Sequence, residues 1–155
     1  PIAGEFKHIF AGSFIYDEKG EAVWPGIAVD YTGKTQYLFK INKGIFSARD
    51  NKLVNASISD DKKRIPFSNM IYFGDGDTDV PCMKIVGMFG GQSIAVYNPS
   101  DERKKAAALK LKHQGRVGFS IPAVYTKDSK AFRLVKAIID KIVADHELER
   151  LKKIA

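Results

Sequence analysis

The chain has one cysteine, Cys82, so no internal disulfide framework can form. That usage suits a reducing compartment and places the protein in the cytoplasm. Its three histidines, His8, His113 and His146, are too isolated in sequence to suggest a metal site. No apolar run approaches the roughly 20 residues that cross a bilayer. No basic stretch followed by an apolar one marks a signal peptide. Internal repeats and low-complexity segments are missing as well. There is also no basic stripe interleaved with aromatics, the pattern that nucleic-acid binding calls for. The formal net charge of +7 is instead scattered over Lys62-Lys63-Arg64, Lys104-Lys105, Lys110, Lys112 and Lys152-Lys153, which read as solvated faces. Such a charge favours anions, including phosphorylated small molecules.

What is present describes an ordinary globular chain: 155 residues, 45% apolar and 28% charged, read as a single domain spanning 1–155. It opens on Pro1 rather than Met, which points to a piece of something longer.

Residues 14–31 read as a β-hairpin. Phe14-Ile15-Tyr16 and Ala22-Val23-Trp24 flank the turn cluster Asp17-Glu18-Lys19-Gly20, Pro25-Gly26 breaks the pattern, and Ile27 to Tyr31 resumes it. Thr32 is the expected N-cap of a helix over 33–43, with Gly44 as its stop and Tyr37, Leu38, Ile41 and Ile45 on its apolar face. Residues 46–66 are a polar insertion, with a short strand or turn inside 52–59. Further on, Met70–Phe73, Ser93–Tyr97 and Val117–Ile121 read as short apolar strands. Helices are expected over 78–87, over about 101–113 with Ser100 or Asp101 capping, and over 128–153 with Phe132, Val135, Ile138, Ile139, Ile142 and Val143 as the apolar face. The Gly87–Gly91 stretch is a helix stop rather than a phosphate cradle. Strands alternating with helices predict an α/β fold, a parallel sheet with helices on both faces. Ligands in such sheets bind beyond the carboxyl ends of the strands.

One loop stands at such an end. After Met70–Phe73 come Gly74-Asp75-Gly76-Asp77-Thr78-Asp79, with acids at alternate positions and glycines removing bulk between them. Three carboxylates so close repel one another. A hard divalent cation such as Mg²⁺, which takes oxygen ligands and few of them from protein, accounts for the arrangement better than turn chemistry does. Asp77 can cap the following helix, where Pro81 is tolerated in the first turn. Lys34 poses a related question. A lysine in a helix's first turn sits at the end that favours anions, a small cost unless something negative is close.

The apolar strand followed by G-D-x-x-x-D resembles the fourth motif of the haloacid dehalogenase superfamily of phosphohydrolases. Lys34-Thr35-Gln36-Tyr37-Leu38-Phe39-Lys40-Ile41-Asn42-Lys43-Gly44 resembles its third motif, and Gly91–Pro99 the strand that follows. Much of 5–125 is similar to phosphoserine-phosphatase-like members. The resemblance implies a three-layer Rossmann-like sheet, incomplete at its N-terminus. It implies Mg²⁺ as cofactor, with Asp75 as direct ligand and Asp79 beside it, ligating through water or orienting the loop. Lys34 becomes the catalytic lysine facing the phosphoryl group, and the substrate a small phosphorylated metabolite.

That chemistry also needs an aspartate nucleophile in D-x-D-x-[TV], which forms and then loses an aspartyl-phosphate. Asp17-Glu18-Lys19 has lysine where the second aspartate belongs. Asp75-Gly76-Asp77-Thr78 has no lysine motif or second acidic loop after it. The nucleophile is therefore expected in a missing N-terminal part of the same protein, and this chain alone is expected to be inactive. Two other readings compete with this one. A P-loop fails because Ala28 stands where Gly33-Lys34-Thr35 requires the first glycine. A non-enzymatic basic α/β module binding nucleic acid or a protein partner explains the charge but not the acidic loop. Cys82 reads as a buried small hydrophobe.

Overall fold

The computed structural model describes residues 2–47, 53–59 and 62–154. Where the sequence suggests one domain, the chain folds as two compact units, Pro1–Pro66 and Phe67–Ala155.

In the first unit, β1 (Ser13–Tyr16) and β2 (Ala22–Ile27) form an antiparallel hairpin. Asp17 makes the turn: its Oδ1 accepts from the N–H of Lys19 and of Glu21, both at 2.9 Å. Gly20 supplies the left-handed residue at φ 81°. Contrary to expectation, β2 runs through Pro25-Gly26 and stops at Ile27, and residues 28–31 are not strand. Register shifts between Ser13 and Phe14, the partner of Pro25, and between Ile15 and Tyr16 accommodate the break.

Helix α1 (Gly33–Lys43) has the expected length, and Gly44 closes it in the left-handed conformation at φ 74°. The expected cap is corrected. The Thr32 side chain makes no cap bond, and Asp30 Oδ1 accepts from Gly33 N–H at 2.8 Å instead. Of the expected face, Leu38 and Ile45 are buried and Tyr37 and Ile41 half-buried, and the helix buries Lys40 and Asn42 as well. These polar groups are matched: Lys40 Nζ donates to Ser47 O at 3.2 Å, and Asn42 Nδ2 donates to Ile65 O at 2.8 Å. Lys43 Nζ donates to the carbonyls of Val54 and Ala56, tying a 3₁₀ turn at Leu53–Asn55 to the helix. That turn answers the expectation of a short element there; Lys52 and several other residues of the 46–66 insertion lie outside the described residues.

The second unit is α/β. Strands β3 (Ile71–Gly74), β4 (Gln92–Tyr97) and β5 (Phe119–Pro122) form a parallel sheet in the order β3-β4-β5. They alternate with α2 (Val80–Met88), α3 (Glu102–His113) and α4 (Lys130–Lys152). The pleat divides the core. Ile94, Val96 and Ile121 pack with Ala131 and Ile138 of α4. Ala95 packs on the other face with Met83 of α2 and Ala108 of α3. Helices thus cover both faces of a Rossmann-like sheet. Strand β4 is buried along most of its length, as a central parallel strand should be.

Local chemistry sets the ends. Asp101 caps α3, accepting from Arg103 and Lys104 N–H at 3.0 Å. Ser129 caps α4 through Phe132 N–H. Gly91 follows α2 where a Cβ would lie 2.3 Å from Phe67 O, so the close turn requires glycine. Strand β5 sits two residues later than 117–121 begins. The face of α4 is also shifted from expectation. Ala131, Leu134, Val135, Ile138 and Ile142 pack on the sheet, whereas Phe132, Ile139 and Val143 remain exposed. No helix among the described residues is long and apolar enough to cross a membrane.

Candidate functional site

The acidic loop begins one residue past β3, at the carboxyl end of the sheet. A 3₁₀ turn over Asp77–Asp79 leads into α2, so the helix expected from Thr78 starts at Val80. Pro81 falls in its first turn, as anticipated. Asp77 is exposed, and the residue at the cap position of the turn is Gly76, with no side-chain cap bond. The capping role expected of Asp77 is therefore absent.

Asp75 and Asp79 are brought together with opposite orientations. Asp75 is exposed, while Asp79 is buried. One Asp79 oxygen accepts from Tyr72 Oη at 2.7 Å, and the other from Asp75 N–H at 3.3 Å. Gly74 makes room for this, since a Cβ there would meet Asp79 Cβ at 2.5 Å and Met83 Cε at 2.6 Å. Gly76 is different, because a Cβ on it would meet nothing within 4 Å. Of the two loop glycines, only the first is demanded by packing. Burial, followed by the hydrogen bond to Asp79, pushes the Tyr72 hydroxyl well above the ordinary tyrosine value. It stays a neutral donor. Cys82 is fully buried, as expected of a small hydrophobe.

Asp75 borders a hollow of about 460 Å³ that spans the carboxyl ends of all three strands, where Tyr97, Asn98, Ala123 and Tyr125 complete the wall. Asn98 Oδ1 accepts from Ser100 N–H at 3.0 Å. A smaller recess of about 70 Å³ joins Asp75 and Asp77 to Lys104 of α3. Tyr72, Asn98, Lys104 and Tyr125 were not singled out from sequence. The strand-end rule would have flagged Asn98 and Tyr125, each just past a strand. Tyr72 and Lys104 carry no local signal.

The chemistry of the donors suits a hard cation. Asp75 offers carboxylate oxygen at an open position, and Asp77 stands exposed two residues on. Among the described residues, no group of three or more His, Cys, Asp or Glu is placed to close around an ion. Lys34 lies half-buried in the first turn of α1, in the other unit, where its N–H donates to Asp30 O at 3.0 Å.

No protein-family profile and no solved structure gives a significant match to the chain. It is similar to a protein of Borreliella burgdorferi described as uncharacterized, with 34% identity over 110 residues. The match covers 69% of this chain and only 35% of that protein, so the chain spans about a third of its relative's length.

Proposed function

We propose that the chain is the cation- and lysine-bearing part of a cytoplasmic Mg²⁺-dependent phosphohydrolase of the haloacid dehalogenase type. Its substrate is a small phosphorylated metabolite, turned over through an aspartyl-phosphate. The observation that carries this reading is the exposed Asp75 carboxylate at the end of a parallel strand, bordering a hollow across three strand ends.

In this reading Asp75 binds the ion, which offsets charge on the phosphoryl oxygens. Asp79 orients the loop from behind, and Lys34 neutralises the phosphoryl group. The attacking aspartate comes from a further segment of the parent protein. Two features of the second unit support a place for that segment. Strand β3 is an edge of its sheet, with Phe73 exposed. Beside it runs an apolar hollow of about 480 Å³ walled by Phe73, Tyr125, Phe132, Val135 and Ile139. An uncharged apolar edge of this kind is normally paired.

The test is phosphate release from p-nitrophenyl phosphate in MgCl₂. The 155-residue chain is expected to give none. The longer parent protein is expected to turn over, and to lose turnover in Asp75→Ala and Lys34→Ala. Turnover by the 155-residue chain, or a parent indifferent to Asp75→Ala, would overturn the reading.

A further inference from the structure

We infer that Tyr72 is the positioning residue of the acidic loop: its hydroxyl fixes Asp79, and Asp79 in turn fixes the backbone at Asp75. This rests on the reading of the loop as a cation site and extends it to a residue outside the motif.

A buried carboxylate must have its oxygens matched by donors. For Asp79 one donor is a side chain on the preceding strand, Tyr72 Oη at 2.7 Å, and another is a loop amide, Asp75 N–H at 3.3 Å. Separate donors on the two oxygens hold the carboxylate, the 2.7 Å bond from Tyr72 being of the strong charge-assisted kind and the 3.3 Å bond from Asp75 N–H a longer, weaker one. The result is a closed ring: β3 carries Tyr72, the chain runs on through Asp75 and the 3₁₀ turn, and Asp79 returns to Tyr72. The absence of a Cβ at Gly74 lets the ring close.

The anchor is itself rigid. Tyr72 is paired across the sheet with Ser93 in β4, and its ring packs against the cluster of Met83, Ala95, Ala108 and Val117. Asp75, by contrast, keeps an exposed side chain. The loop therefore holds one acid inward so that the neighbouring acid faces the hollow from a fixed backbone. A metal ligand is commonly set this way, by a hydrogen-bonding partner that does not itself touch the ion. Phenylalanine would fill the same space but leave an Asp79 oxygen without its hydroxyl donor.

A purely structural role would make Tyr72 matter for stability alone, so the experiment separates the two. Tyr72→Phe is compared with Ile138→Ala, which lowers stability through the opposite face of the sheet. Two quantities are read in each folded chain: the hydrogen-exchange rate of the Asp75 amide by NMR, and the dissociation constant for Mg²⁺. Tyr72→Phe is expected to speed Asp75 exchange and to weaken Mg²⁺ by about 10-fold, while Ile138→Ala changes neither beyond its global effect. If Asp75 exchange in Tyr72→Phe matches wild type, or Ile138→Ala reproduces both effects, the positioning role is overturned. If wild type shows no Mg²⁺ response, the cation reading falls, and the exchange rate alone still decides whether Tyr72 positions the loop. Should Tyr72→Phe not fold, Asp79→Asn breaks the same link from the other side, with the same two outcomes.

Discussion

The N–H of Asp75 donates to the carboxylate of Asp79 across 3.3 Å, so two acids of one loop are coupled while facing opposite ways. The buried one spends its oxygens on the protein. The exposed one borders the hollow at the strand ends. This division of labour ties the local geometry to the proposed chemistry.

The two loop glycines should respond differently to alanine. At Gly74 the new methyl collides with Asp79 and Met83. Overpacking at such a site costs about 1–3 kcal/mol. At Gly76 it meets open space, and the backbone is extended at φ −149°. Gly76→Ala should stay within about 0.5 kcal/mol of wild type. Urea denaturation of both variants measures this, and equal losses would show that the loop packs differently.

Much of this was legible in sequence. The hairpin turn, the span of α1, the three strands of the second unit and the glycine stops all have local causes: Asp17 in its turn, Gly44 in the left-handed region, and short apolar runs between breakers. What was not legible depends on tertiary partners. Lys40 and Asn42 are buried because carbonyls of Ser47 and Ile65 meet them, and no periodicity reveals that. The pattern of α4 puts Phe132 and Ile139 on the core face because the helix is apolar over a wide arc, whereas the sheet uses only the arc centred on Ile138. At the site, the burial of Asp79 and the exposure of Asp75 depend on Tyr72 behind the loop, which no local pattern reveals.

The corrected face of α4 has a direct consequence. Ile138→Ala should cost about 2–5 kcal/mol, as a buried aliphatic truncated in a packed core does. Ile139→Ala and Val143→Ala, on the exposed arc, should stay within about 0.5 kcal/mol. Thermal melts of the three variants check the order; similar losses at 138 and 139 would return the face to the arc expected from sequence.

Tyr72 also predicts an alkaline limit. Its hydroxyl in the folded chain loses its proton above the unfolded value of about 10. A group raised in this way contributes stability in full below the unfolded pKa and loses it as pH climbs past that value. Between about pH 9 and pH 11 the wild-type melting temperature should therefore fall more steeply than that of Tyr72→Phe. At neutral pH the same variant should be less stable by about 0.5–1.5 kcal/mol, the net contribution of one hydrogen bond. Parallel pH curves for the two proteins would remove the basis for this account.

The central claim is that Asp75 presents a cation-binding carboxylate at the end of β3. The most direct measurement is a Mg²⁺ titration of the 155-residue chain followed by amide NMR shifts across 74–79, set beside the same titration of Asp75→Asn. The account predicts saturable shifts confined to that loop in wild type, and their loss in Asp75→Asn with the fold intact. Shifts absent from wild type, or unchanged in Asp75→Asn, would contradict it.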